Sequence, residues 1–326
     1  MWFQNNFRLS FKSAALSTAV GTILIGFAVA ASDGETFTSP DLAAQALLSA
    51  AENNDPAGLL KILGPSAKEI LTTSDPVADS RTRAAFVKKA KQKMLVVTDP
   101  YQPDQKILKI GSDQWPFPIP LVQTADKSWQ FDVDQGKDAI LLRRIGNNEL
   151  TAIDLSRGYV EAQNEYFEQD RTGKGVRQYA QTFISSEGQR NGLYWKSTDP
   201  NDQSPIAEMV AHAIAEGYTT RGEPYHGYRF KILTGQGPHA TGGAMSYLDS
   251  GAMTHGFALI AWPAEYRSTG IMTFLVDRSG IVYQKDLGAK TAQIANATTV
   301  YDPDQTWNPV AGSGVPEKRI SQNRSR

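Results

Sequence analysis

The chain has 326 residues, of which 40% are hydrophobic and 21% charged, and its 33 basic residues are balanced by 34 acidic ones. The composition is that of a globular protein, and the near-neutral balance argues against nucleic acid as a partner, because phosphate binding needs a concentrated basic face. The absence of cysteine excludes disulfides and a thiol-linked lipid. The length favours two domains, since single domains typically have about 100–150 residues.

The N-terminal segment predicts export. Two basic residues precede an apolar run over residues 14–31, which ends in the small residues Ala28-Val29-Ala30 that a signal peptidase accepts. We therefore expect a signal peptide over residues 1–31, with cleavage at Ala30 or Ala31, and a periplasmic or otherwise exported protein. The alternative is an uncleaved inner-membrane anchor, because about eighteen apolar residues lie near the lower limit for spanning a bilayer. Only in that case would a membrane be a partner.

The next part of the chain predicts helices followed by strands. The spacing of apolar residues predicts three helices, over residues 41–51, 56–63 and 79–93. Strand-like runs follow over residues 94–98, 106–110, 117–123 and 128–133. The segment Trp115–Pro120 has proline at every second position and can pair only at a sheet edge. We expect an α+β domain over residues 39–146, whose pattern resembles NTF2-like or cystatin-like folds.

The second half of the chain opens with another helical pattern. A long helix is predicted over residues 147–169, because an apolar seam recurs at spacings of three and four residues. The residues of this seam are Ala152, Leu155, Tyr159, Ala162 and Tyr166. A further helix is predicted over residues 205–216, with Ser204 as its cap and Gly217 as its end.

Only strands and loops are predicted after this helix. The predicted strands cover residues 228–234, 256–262, 271–276 and 281–285. We therefore expect a second α+β domain over residues 147–300, and a disordered basic tail over residues 303–326. The order of elements is similar to the globular head of type IV pilins. The segment before Ser32 lacks the processing site and glutamate of a prepilin, so the similarity does not imply fibre assembly.

Several long motifs resemble those of a known family. They are Pro224–Phe230, Gly256–Tyr266, Met272–Phe274, Val282–Gly288, Trp115–Pro120 and Gly158–Tyr166. Through them the chain resembles, over most of residues 39–290, the exported bacterial family catalogued as domain of unknown function 2950. The name of that family states no activity, so the resemblance implies a location and an architecture but leaves the mechanism open.

Motifs for metals and cofactors are weak. The four histidines lie too far apart for a zinc pattern. Asp170–Gly175 has the outline of a calcium loop, but Lys174 stands where a ligand is needed. Gly235–Ala240 only superficially resembles a dinucleotide loop, because Pro238 lacks the amide that would face a phosphate. We expect no metal, no cofactor and a non-enzymatic protein rather than an enzyme.

The candidate ligand-binding residues are Tyr225, His226, Trp262, Glu265 and Tyr266. Aromatic side chains beside one or two charges are typical of interface hot spots. The leading hypothesis is therefore a non-enzymatic module that binds an envelope protein or a cell-surface polymer.

Two alternatives stay open. A hydrolase acting on envelope material would use His226 and Glu265 as acid and base, and requires the two side chains to lie within hydrogen-bond reach. A small-molecule carrier would use a pocket in the first domain, and requires an apolar cavity behind Trp115 and Phe117.

Overall fold

A computed structural model describes residues 34–199, 201–218 and 223–312. The predicted signal peptide and the basic residues of the predicted tail lie outside these described residues. Contacts place all of the described residues in one unit. Among the helices that the structure describes, none combines the length and the apolar character needed to cross a bilayer.

The described chain begins with four α-helices. They are α1 (Pro40–Glu52), α2 (Pro56–Leu63), α3 (Lys68–Leu71) and α4 (Pro76–Gln92), with a 3-10 turn at Pro65–Ala67. Three of them start in the same way: Ser39, Asp55 and Asp75 each accept a hydrogen bond from the backbone N–H three residues later, and proline fills the first helical position. The three predicted helices are confirmed, whereas the short α3 was not predicted.

An antiparallel sheet follows these helices. Its strands are β1 (Met94–Thr98), β2 (Gln105–Ile110), β3 (Trp115–Pro116), β4 (Leu121–Gln123) and β5 (Trp129–Phe131). The strand order is β1-β2-β4-β5, and β3 pairs with β2 over two residues only. In the register, Met94 lies opposite Ile110 and Leu121 lies opposite Phe131. The elements up to β5 are called the N-terminal half below.

One long helix, α5 (Val133–Phe167), follows β5. The prediction that it begins at Asn147 is wrong, because the helix already starts where Asp132 accepts a hydrogen bond from the backbone N–H of Gln135. Gly136 sits inside the helix, where a Cβ atom would lie 2.5 Å from the carbonyl oxygen of Pro118. Tertiary packing thus outweighs the poor helix propensity of glycine. The predicted boundary between residues 146 and 147 lies within this helix.

The elements after α5 form the C-terminal half. They begin with a parallel pair, β6 (Thr182–Ile184) and β7 (Gly192–Tyr194), and the helix α6 (Ala207–Glu216). The strands that follow are β8 (Tyr228–Leu233), β9 (Gly235–Gln236), β10 (Met245–Ser246), β11 (Leu248–Asp249), β12 (Ala252–Met253), β13 (Ala258–Pro263), β14 (Met272–Asp277) and β15 (Tyr283–Asp286). The last elements are α7 (Thr291–Ala297) and β16 (Asn308–Pro309).

The main sheet of this half is antiparallel, with the order β16-β15-β14-β13-β8. Helix α5 packs across β13 and β14, and α7 lies against β13. The predicted pairing of the strands on either side of the turn at residues 277–280 is confirmed. Helices packed on antiparallel sheets in both halves confirm the predicted α+β fold.

Three expectations for this half are wrong. The segment after α6 contains a helix, α7, where only strands and loops were expected. Helix α6 begins at Ala207 without a side-chain cap, so Ser204 does not cap it. Within the predicted disordered tail, Asn308 and Pro309 pair with β15, and Val310 donates a hydrogen bond to the carbonyl of Val282. Backbone pairing at the sheet edge orders these residues although their composition is polar.

Buried apolar side chains form two clusters. One extends from Ala43 to Val133 and lies among α1, α2 and the first sheet. The other extends from Ala152 to Tyr301 and lies between α5 and the second sheet. Between the clusters, around residues 140–148, α5 passes from the first to the second, and Ile140 and Leu141 pack against the first.

Candidate functional site

Of the five predicted ligand-binding residues, Trp262 lies in the core, where it lines a cavity together with Tyr225, whereas Tyr266 is half-buried. Trp262 on β13 is only 4% exposed and belongs to the core of the C-terminal half. The hydroxyl of Tyr266 donates to the carboxylate of Asp286, and the guanidinium of Arg267 lies over the tyrosine ring. Because Trp262 is buried, it does not form an exposed aromatic surface with Tyr266.

Glu265 and His226 contact the N-terminal half of the same chain, and Tyr225 packs against His226. The carboxylate of Glu265 accepts a 2.7 Å hydrogen bond from the backbone N–H of Ser74. The ring of Tyr225 packs edge-on against His226, with the ring centroids 4.4 Å apart. Within the described part of the chain, neither a hydrogen bond nor an ion pair joins His226 to Glu265. The hydrolase alternative therefore lacks the bond that it requires.

His226 instead lies between Arg81 of α4 and Glu216 at the end of α6. Its Nδ1 is 3.3 Å from Nη1 of Arg81, and its Nε2 is 3.0 Å from the carboxylate of Glu216. A guanidinium can only donate, so Nδ1 accepts and the ring proton resides on Nε2, facing the carboxylate. Burial lowers the pKa of His226, and Glu216 offsets this only in part. The geometry thus describes a neutral, structural histidine.

Asp75 joins the two halves and was missed by the sequence reasoning. It is 1% exposed, and one carboxylate oxygen caps α4. The other oxygen accepts hydrogen bonds from the hydroxyl of Tyr218 and the backbone N–H of Gly227, both at 2.9 Å. The Asp-Pro pair at the start of α4 indicates the cap, but no local pattern indicates partners about 150 residues away.

An apolar cavity of about 410 Å³ lies between the N-terminal half and α5. We call it the N-cavity. Its apolar lining comes from Leu47, Ala51, Leu59, Leu63, Ile70, Leu71, Phe86, Ile110, Trp115, Phe117, Ile119 and Ile140. Small-molecule sites have volumes of roughly 300–1,000 Å³ and mostly apolar walls. The cavity therefore has the size and the lining of a ligand site.

The proline-rich segment builds one wall of the N-cavity. In an extended segment, alternate side chains point to the same face, and Trp115, Phe117 and Ile119 all line the cavity. The backbone N–H of Phe117 donates to the carbonyl of Leu108, which fixes the segment against β2. The ring of Phe117 packs against that of Phe86, with the centroids 5.5 Å apart. The cavity that the carrier hypothesis requires behind Trp115 and Phe117 is thus present.

Four charged side chains also line the N-cavity: Asp79, Arg83, Arg143 and Arg144. Asp79 is held by the backbone N–H and the hydroxyl of Thr73. Burial raises the pKa of Asp79, and the hydrogen bonds from Thr73 oppose this. Three guanidinium groups therefore share the cavity with a single carboxylate. The sequence reasoning missed this group, because no short spacing connects its members.

A family model described as a protein of unknown function, DUF2950, matches residues 34–310. The chain belongs to this family. A search of curated proteins and a search of solved structures gave no match. The resemblances of this DUF2950 protein to NTF2-like or cystatin-like folds and to pilin heads therefore stay predictions. Every residue of the N-cavity lies within the part that the family model matches.

Other cavities among the described residues of this DUF2950 protein include two of similar or larger volume. An apolar one of about 510 Å³, called the C-cavity, lies under α6 and is lined by Tyr159, Ala213 and Trp262 among others. A polar one of about 530 Å³ lies beside Arg81 and His226. Its charged groups already pair with each other. Of these three cavities, the N-cavity is the one that combines apolar walls with three guanidinium groups.

Residues that could hold a metal ion do not cluster anywhere in the part of this DUF2950 protein that the structure describes. In the loop with the calcium-like outline, the carboxylate of Asp170 accepts hydrogen bonds from the backbone N–H groups of Thr172 and Gly175. These bonds lower the pKa of Asp170, with Gly175 making the largest contribution. The loop thus uses this carboxylate to close on itself.

Proposed function

We propose that the protein is a non-enzymatic carrier that binds a small, largely apolar molecule in the N-cavity. The observation that carries the proposal is the apolar cavity behind Trp115 and Phe117. Removing apolar ligand surface from water supplies the driving force, at roughly 25 cal/mol per Å². The proposal is favoured over an interaction surface in the second half, because Trp262 is buried and Tyr225, His226 and Glu265 contact the same chain.

The test is a titration with an uncharged apolar fluorescent dye, such as N-phenyl-1-naphthylamine, on protein first stripped of bound lipid by unfolding and refolding. Trp115 lines the N-cavity and Trp262 lines the C-cavity, so energy transfer from tryptophan reports dye bound in either one, and variants of each cavity distinguish the two. The variant Ala51→Leu places three more carbon atoms in the N-cavity. It is expected to weaken dye binding at least tenfold without lowering the melting temperature, because the added atoms fill free space.

The matched control is Ala213→Leu, which makes the same change in the C-cavity. Normal dye binding by this variant is expected. If Ala213→Leu lost binding and Ala51→Leu kept it, the ligand site would be the C-cavity and the proposal would be wrong. Failure of the wild-type protein to bind the dye or any apolar competitor would also contradict it.

We further propose that the carrier is exported, since the first thirty-one residues have the basic, apolar and small-residue parts of a signal peptide. Expression of the full chain in a bacterium, followed by osmotic shock, gives the test. Release of a protein whose mass corresponds to cleavage at Ala30 or Ala31 is expected. Recovery of the full-length mass in the membrane fraction would instead support the uncleaved anchor.

A further inference from the structure

The charges around the N-cavity carry information about its ligand. Placing cations beside an apolar cavity is unfavourable unless hydrogen bonds or a counter-charge compensate them. Among the residues that line the N-cavity, Asp79 is the single carboxylate, and both of its oxygens already accept hydrogen bonds from Thr73. An uncharged ligand would need none of the three guanidinium groups.

Two of these guanidinium groups have structural partners. Arg144 donates to the carbonyls of Glu69 and Ile70, and Arg83 donates to the carbonyl of Leu71. These carbonyls belong to α3, whose last turn lacks helical partners for them. Arg83 and Arg144 therefore hold α3 in place, and their presence is explained without a ligand.

Arg143 differs from the other two. Its guanidinium lies over the ring of Trp115, 4.4 Å from the ring centroid. Among the described residues, neither a hydrogen bond nor an ion pair engages its side chain, and it is exposed at the edge of the cavity. Stacking fixes the planar group while leaving its N–H donors free. Arg143 is thus a preorganised cation at the mouth of an apolar cavity.

We infer that the ligand is a single-chain amphiphile with an anionic head, either a carboxylate or a phosphate. The head binds to the N–H donors of Arg143, because a guanidinium matches both oxyanions with two parallel hydrogen bonds. The apolar chain fills the space behind Trp115 and Phe117. This inference rests on the proposed carrier function, and it adds the charge and the orientation of the ligand.

The experiment compares four compounds with the same twelve-carbon chain: dodecanoate, dodecyl phosphate, dodecanol and dodecyltrimethylammonium. Each displaces the uncharged dye from stripped protein, at concentrations below micelle formation. The two anions are expected to bind at least tenfold more tightly than the alcohol, which corresponds to about 1.4 kcal/mol. The ratio between carboxylate and phosphate distinguishes a fatty-acid-like source from a phospholipid-like one.

Variants of Arg143 locate the head. Arg143→Gln is expected to weaken both anions about tenfold and to leave the alcohol within twofold of its wild-type affinity. Arg143→Glu should reverse the preference toward the trimethylammonium compound. The matched control is Arg157→Gln, which removes the same charge from the same helix at a site outside the three cavities. It is expected to change no affinity.

The outcomes separate the inference from the proposed function. If the alcohol binds as tightly as the anions, or if Arg143→Gln weakens all four compounds equally, the inference is overturned and the carrier function stands. If none of the four compounds displaces the dye at the N-cavity, the carrier function itself fails. Melting temperatures of all variants, measured in parallel, show whether a lost affinity reflects a lost fold.

Discussion

Replacing Asp75 should reveal how strongly the two halves are joined. Its carboxylate accepts three hydrogen bonds of 2.9 Å, from the N–H groups of Ala78 and Gly227 and from the hydroxyl of Tyr218. Loss of a helix cap costs about 1 kcal/mol, and each buried donor left without an acceptor costs about 1–3 kcal/mol. Asp75→Ala is therefore expected to lower the free energy of unfolding by about 4 kcal/mol.

Asp55 provides the matched control. It caps α2 as Asp75 caps α4, with a bond of 2.9 Å to the N–H of Gly58, but it is exposed and its carboxylate has no long-range partner among the described residues. Asp55→Ala should therefore lower the free energy of unfolding by only about 1 kcal/mol.

Asp75→Asn refines the comparison. Asparagine caps helices as well as aspartate does, but its amide nitrogen cannot accept from Gly227 or Tyr218. We expect Asp75→Asn to lower the free energy of unfolding by about 2 kcal/mol, a loss between those of Asp55→Ala and Asp75→Ala.

The assay is equilibrium unfolding in urea, followed by tryptophan fluorescence and by circular dichroism. In the wild-type protein, we expect the two signals to change together, because the halves unfold as one unit. In Asp75→Ala, a shift of the midpoint or a separation of the two signals would reveal the lost coupling. Equal losses of stability in Asp75→Ala and Asp55→Ala would refute the reasoning, since only the cap would then matter.

Two further predictions concern titration and helix packing. Burial lowers the pKa of His226 and Asp302 raises that of His239, so an NMR titration should show His226 protonating at the lower pH. Because the folded-state pKa of His226 is depressed, its contribution to stability is present above the unfolded pKa of about 6.5 and is lost as the pH falls from there through the folded-state pKa. His226→Gln should flatten this part of the profile of urea midpoint against pH. An unchanged profile would contradict the assignment. Gly136→Ala should lower the free energy of unfolding by about 1–3 kcal/mol, because its Cβ would meet the backbone of Pro118. Gly146→Ala has open space around it and should raise the free energy of unfolding by about 0.5–1 kcal/mol. Thermal unfolding of both glycine variants is the measurement. Equal shifts in melting temperature would show that the close contact at Gly136 does not affect stability.

Local signals explain which helices could be predicted. Helices α1 and α2 each have a capping side chain followed by proline, and both starts are readable from neighbouring residues. Helix α5 has Gly146 and Asn147 in its interior, residues that favour helix ends over helix middles. Packing decides there instead, since Asn148 is buried and donates to the carbonyl of Thr269. A contact across 121 residues has no local signal.

The candidate site also has a part that could be predicted from the sequence and a part that could not. Prolines alternating with Trp115 and Phe117 indicate an extended segment with one apolar face, and that face lines the N-cavity. No sequence pattern predicted that three arginines would line one cavity, because Arg83 lies on α4 whereas Arg143 and Arg144 lie on α5. Only the packing of these helices brings the charges to one cavity. The apolar part of the site could therefore be anticipated, whereas its charge could not.

Helix α5 also determines how this protein can be divided. At 1.5 Å per residue, its 35 residues span about 52 Å without a break. A gene cut between codons 146 and 147 would sever the helix and leave Val133 and Ile145 on one fragment, and Tyr159 and Tyr166 on the other. Each fragment would keep the α5 residues of its own core cluster, but the backbone hydrogen bonds of the helix across residues 146 and 147 would be lost. Residues 146 and 147 are therefore not a linker, and a truncation that separates the two halves has to begin or end outside Val133–Phe167 to keep this helix whole.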